Sequence, residues 1–272
     1  MKTALSNIAW TAQQDEAVAE LMQLCGVTGV EVAPTRLWDE PLSVTDAQVE
    51  ECLGFWRARG VEVIAMQALL FGKPELLLFD SDAVRAQLLD YLDGIMALAA
   101  RLGAGPLVFG SPQNRTRGAL PRDAALDIGS EFFRAAGRRA RQHGVVLCIE
   151  PNPPQYNCDF ITTSADALEL VERVDDPGFG LHLDAAALHL VGEDAATVVA
   201  RSIHVLHHVH ASEPKLGALG EGGVDHAALA AALRANEYQG FVSVEMRHDP
   251  QRECKAEMRR VIEFLMRCYG DV

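Results

Sequence analysis

The sequence predicts an α/β protein, a (β/α)8 TIM barrel built as one domain over residues 1–272. Three observations carry that expectation. Short β-like runs alternate strictly with longer helical patterns. Eight such units share 272 residues, about 34 each. No Pro-, Gly- or Ser-rich linker, low-complexity tract or shift in composition divides the chain. Parallel strands joined by helices need crossovers, which leaves an open doubly wound sheet or a closed barrel. Neither GxGxxG nor GxxxxGK[ST] follows the first strand, so the open sheet loses its usual support, and the count of eight favours closure.

The elements read in order as follows. Strand Leu5–Ala9 precedes helix Asp15–Cys25, with Gly26 placed to end it in the left-handed conformation. Strand Gly29–Val32 leads to helix Asp46–Arg59 and Gly60, and strand Val61–Met66 to helix Asp82–Leu102, capped by Ser81 or Asp82 and closed by Gly103. Strand Pro106–Phe109 is followed by helix Arg122–His143 and Gly144, and strand Val145–Glu150 by helix Ser164–Val174 with Ser164 as its cap. The last three pairs are Phe179–Asp184 with Asp194–Arg201, Ile203–His210 with Asp225–Asn236, and Phe241–Glu245 with Cys254–Tyr269.

Composition narrows the function. With 49% hydrophobic residues the chain can offset its ordering entropy by burial. A net charge of −14, from 24 Lys+Arg against 38 Asp+Glu, argues against nucleic acid and anionic membranes as partners. The six cysteines form no CxxC pair and read as reduced thiols. The N-terminus is too weak for a signal peptide, and every apolar window is interrupted well before ~18 residues. A cytoplasmic location is the resulting expectation.

In a barrel of this kind chemistry gathers where the strands end. Four consecutive strands end on a ligand-type residue: VVLCIE on Glu150, FGLHLD on Asp184, IHVLHHVH on His210 and FVSVE on Glu245. Their spacings of 34, 26 and 35 residues each correspond to about one βα unit. Three carboxylates and an imidazole on one rim repel one another unless a cation sits between them. The oxygen-rich set suits Mn²⁺, Mg²⁺ or Co²⁺, accommodates Zn²⁺, and disfavours Cu⁺ or iron–sulfur. The plainer alternative is that each acid caps a helix or pairs with an arginine.

Strands five to eight resemble the xylose isomerase-like TIM-barrel superfamily of sugar phosphate isomerases and epimerases. The resemblance rests on IEPNPPQYNCDFITT, GLHLDAAAL, HVHASEP and YQGFVSVEM in that order, with SNIAW, VEVAP and FGSPQNRTRG at earlier strand ends. It implies one divalent metal held by Glu150, Asp184, His210 and Glu245, with Glu150 and Glu245 also the acid/base pair. The implied reaction isomerises or epimerises a small sugar or hydroxy-carbonyl compound through an enediolate. A dehydratase or lyase on a polyol-derived ketone, or a non-catalytic sugar-binding barrel, are the alternatives. Two departures stand out: Ala187 replaces a substrate-binding His of the ketohexose epimerases, and Lys215 stands where they carry an Arg. The family's dimers and tetramers leave a homo-oligomer open.

Further residues are candidates for substrate. His182 lies two before Asp184 and shares its face; His208 shares that of His210, with His204 deeper in the strand and His207 facing outward. Glu213 follows His210 by three. Asn114, Arg115 and Arg117 form a cationic loop suited to an anion or to plain solvation. Asn152 and Tyr156 sit in a Pro-rich loop after Glu150, and Trp38, Gln67 and Phe71 follow strands two and three, where an aromatic can stack on a sugar.

Overall fold

Eight parallel strands close into a barrel in chain order in the computed structural model, which describes residues 1–270. They are β1 Lys2–Ser6, β2 Gly29–Val32, β3 Glu62–Met66, β4 Pro106–Phe109, β5 Val146–Ile149, β6 Phe179–Asp184, β7 Leu206–Ser212 and β8 Phe241–Glu245. Closure comes from β1 against β8, in the register Lys2↔Phe241 to Leu5↔Val244. The outer layer comprises α1 Asp15–Cys25, α2 Pro34–Leu37, α3 Asp46–Arg57, α4 Asp82–Leu102, α5 Arg122–Gln142, α6 Ser164–Val174, α7 Ala185–Val191, α8 Ala195–Ser202, α9 His226–Ala235 and α10 Cys254–Tyr269. None of the described helices is long and apolar enough to cross a membrane.

The strands read as near-continuous apolar runs because helices cover their outer faces while side chains fill the barrel. Phe133 of α5 shows the outer packing: it stacks on Phe179 of β6 at 4.7 Å and meets Phe109 of β4 edge-on at 5.3 Å. Helix ends follow local chemistry. Ser81 Oγ accepts from the Val84 amide, and Gly26 and Gly103 close α1 and α4 at φ 76° and 78°.

Several element ends differ from the sequence expectation by one or two residues, and four features differ in ways that bear on the site or the packing. The first strand is Lys2–Ser6, not Leu5–Ala9, because pairing with β8 sets the register and Asn7–Ala9 turns into a 3₁₀ segment. Asn7 instead accepts the Ala33 amide at 2.8 Å, tying the first two strand ends together. The seventh strand is Leu206–Ser212, not Ile203–His210; Ile203–Val205 is a 3₁₀ turn, so the exposed His204 lies outside the strand. Thr163, not Ser164, caps α6. Finally, α7 follows β6 without a loop: Ala185–Leu188 are all buried, so no amphipathic period announces the helix.

Candidate functional site

Where β5 to β8 end, the structure brings Glu150, Asp184, His210 and Glu245 together, each offering a ligand atom within 4.8 Å of the others. Parallel register is the cause. Asp184 is level with His210 across β6 and β7, and Ser212 with Glu245 across β7 and β8. His210 Nδ1 lies 3.3 Å from Glu245 Oε2 and 3.8 Å from Glu150 Oε1. Asn152 donates to Glu150 Oε2 at 2.8 Å. A Cβ on Gly110, at the end of β4, would collide with that same oxygen, so glycine there leaves room for the carboxylate.

Asp184 serves two purposes. Its Oδ1 caps α7 by accepting the Ala187 amide at 2.7 Å, while Ser212 Oγ donates to Oδ2. The capping alternative is therefore realised for this acid, within the cluster. Burial, then repulsion from Glu150 and Glu245, pushes its carboxyl up to about 7. Burial opposes charge on His210, but Glu31 and Glu245 outweigh it and hold the imidazole well above its usual range. The ring thus recruits a positive charge, and His210 Nδ1 forms no hydrogen bond of good geometry. Three hard oxygen donors and one unengaged imidazole nitrogen fit a divalent cation.

Beneath the cluster lies a polar layer that the sequence reading did not assemble. Glu31 of β2 is fully buried. It faces His210 Nε2 at 3.0 Å and His208 Nε2 at 3.1 Å, and accepts from Ser243 Oγ at 2.9 Å. Burial alone would raise its carboxyl; the two imidazoles reverse that and hold it well below the ordinary range. Its signal was an acid in the middle of an apolar strand, VEVAP. His182 shares the floor, with Nε2 3.4 Å from Glu150 Oε1; burial and the neighbouring His210 and His208 keep it neutral.

A cavity of about 700 Å³ opens at the cluster, lined by Glu150, Asp184 and Glu245, with His210 buried behind them. Tyr156 lines it, its hydroxyl accepting the Lys215 amide at 2.9 Å, as do Gln67, Phe71, Asn152, Ala187, Glu213 and Lys215. Other candidates are placed differently. Arg115 is fully buried and donates to the backbone carbonyls of Glu150 at 2.7 Å and Phe109 at 3.4 Å. Arg117 is engaged with Asp159 and the Leu120 carbonyl, so the loop presents backbone staples and not an anion site. Asn114 donates to the carbonyls of Lys73 and Leu76. None of these three lines the cavity, and Trp38 packs on the hydrophobic core instead. Glu213 borders the cavity but accepts the amides of Gly220 and Val224 and faces His226 at 3.2 Å, holding its own loop.

The model of the xylose isomerase-like TIM barrel family matches residues 19–268. This chain belongs to that family. Among curated proteins, an L-ribulose 3-epimerase of Methylomonas sp. (strain DH-1) is 31% identical over 91 residues, 34% of this chain and 32% of that protein. An L-ribulose 3-epimerase of Mesorhizobium japonicum is 29% identical over 171 residues, 60% of this chain and 55% of that one. The chain thus spans between about a third and a little over half the length of these relatives. Among solved structures, a 3-keto-D-glucoside 4-epimerase from E. coli superposes with a TM-score of 0.81 at 22% identity, covering 98% of this chain and all of that one. That likeness supports the fold.

Proposed function

We propose that this family member is a divalent-metal-dependent isomerase or epimerase of a small sugar or hydroxy-carbonyl compound, working by proton transfer through an enediolate. The observation that carries the reading is the convergence of Glu150, Asp184, His210 and Glu245 on one strand-end rim. The curated relatives, named as ketose or L-ribulose 3-epimerases, support it.

Those four residues would hold the cation, with Mn²⁺, Mg²⁺ or Co²⁺ favoured by the oxygen donors. Bound there, it would supply Lewis acidity, stabilising negative charge on the substrate's adjacent oxygens. Glu150 and Glu245 stand three strands apart round the ring, so one carboxylate removes the proton next to the carbonyl and the other returns one to the opposite face. Asn152 orients Glu150 through Oε2, leaving Oε1 beside His182. The Tyr156 phenol, raised by burial, keeps its proton and donates it to a substrate oxygen.

The test is deuterium uptake at the carbon beside the carbonyl when the manganese-loaded protein meets ketoses in D₂O. Exchange with retention of the skeleton is expected. Loss of water would reassign the chain to the dehydratases, and no exchange with any ketose would overturn the reading.

A further inference from the structure

We propose that the substrate carries an apolar substituent on the side away from its reacting carbon, seated by Ile8, Ala68, Phe71, Val108, Pro112 and Leu216. The inference deepens the reading above and rests on it for the identity of the reacting group.

A free polyol entering the cavity exchanges hydrogen bonds to water for bonds to protein, and every hydroxyl left without a partner costs free energy. The lining offers few partners. Gln67 donates to Ser6 Oγ at 2.7 Å, Asn152 to Glu150, and Ser212 to Asp184. Glu213 is taken by the Gly220 and Val224 amides. Ala186 and Ala187 present only methyl groups. Outside the four-residue cluster, what the lining still offers a hydroxyl is Ser111, the proton of the Tyr156 hydroxyl that accepts the Lys215 amide, the amide oxygens of Gln67 and Asn152, and the rim cations Lys215 and Arg247.

The space itself is generous. About 700 Å³ falls within the ~300–1,000 Å³ that holds drug-sized ligands. Its apolar seat ends at Phe71, which is 68% exposed. Of the exposed large hydrophobics among the described residues, Leu24, Leu42 and Phe71, it is the one that lines the cavity. The loop that presents it is braced: the Phe71 amide bonds the Ala68 carbonyl at 3.1 Å, and Asn114 holds the Lys73 and Leu76 carbonyls from the neighbouring loop. An aromatic ring presented at the mouth of an apolar pocket can stack on a sugar, but it gains more by covering a fully apolar group, whose burial leaves no hydroxyl without a partner.

The experiment compares D-fructose with 6-O-benzyl-D-fructose as substrates of the manganese-loaded protein, reading deuterium uptake at carbon 3 in D₂O. The benzyl ether is expected to have kcat/KM higher by about tenfold or more. Phe71→Ala should shrink that ratio mainly through KM. Equal or better turnover of D-fructose overturns the proposal. If neither compound exchanges, calorimetric binding of the same pair decides: tighter binding of the benzyl ether upholds the apolar seat while the proton-transfer reading falls, and equal or undetectable binding overturns the seat as well.

Discussion

The carboxylate of Glu31 lies 3.0 Å from Nε2 of His210, on the side of the ring away from the cluster. That contact makes Nε2 a donor and leaves Nδ1 to face Glu150 and Glu245. Partners of this kind orient metal-binding imidazoles and raise their basicity. Glu31→Gln keeps the volume but presents an amide NH₂ to a pocket already filled with donors from His208, His210 and Ser243. Manganese affinity should fall about 10–100-fold. An electron paramagnetic resonance titration checks it, and unchanged affinity would remove Glu31 from the metal's support.

Glu245→Gln addresses the proton-transfer role. The amide preserves size at a half-buried position yet offers no basic oxygen pair. Deuterium uptake at the substrate carbon should drop by about 10²–10⁴-fold, the range of general acid–base catalysis, with the melting temperature little changed. Exchange at the wild-type rate would exclude Glu245 as the acid or base.

The strand-end residues were legible because their signal is local: each is a charged or imidazole residue closing an apolar run, and parallel register does the rest. Glu31 was not, since its meaning depends on side chains nearly 180 residues away meeting it across the barrel interior. Ser212 was obscured by placing the end of the seventh strand at His210, which cut off the residue two further on that shares its face. Arg115 and Asn114 misled for a different reason. In the 3₁₀ turn Pro112–Arg115 no periodicity says which way a side chain points, and both turn to backbone carbonyls. The closed fold was readable from the alternation of elements, whereas α7 was hidden by having a cap but no polar face.

Metal affinity should depend on pH in a defined direction. Without a cation the folded protein holds protons on Asp184, raised to about 7, and on His210, raised well above its ordinary value. A cation must displace them, so binding weakens as pH falls and these groups load. Below about pH 7 the dissociation constant should rise by roughly tenfold per pH unit for each proton displaced. Calorimetric titrations at matched ionic strength in buffers of different ionisation enthalpy count those protons. Affinity that stays flat between pH 6 and 8 would contradict the crowding of the three carboxylates.

Arg115 separates an anion-binding side chain from a structural one. Its guanidinium is fully buried, reaches the Glu150 carbonyl at 2.7 Å, and forms no ion pair among the described residues. Arg115→Ala deletes charge-assisted hydrogen bonds and opens a cavity behind β5, together costing about 2–4 kcal/mol. For a chain of this size that lowers the melting temperature by several degrees, roughly 2–4 °C per kcal/mol. Manganese binding should weaken too, because the carbonyl being held belongs to Glu150 itself. If the variant instead melts like the wild type and differs from it only in weaker binding of phosphorylated ketoses, the guanidinium faces the ligand, and its burial against the backbone is not the state that works.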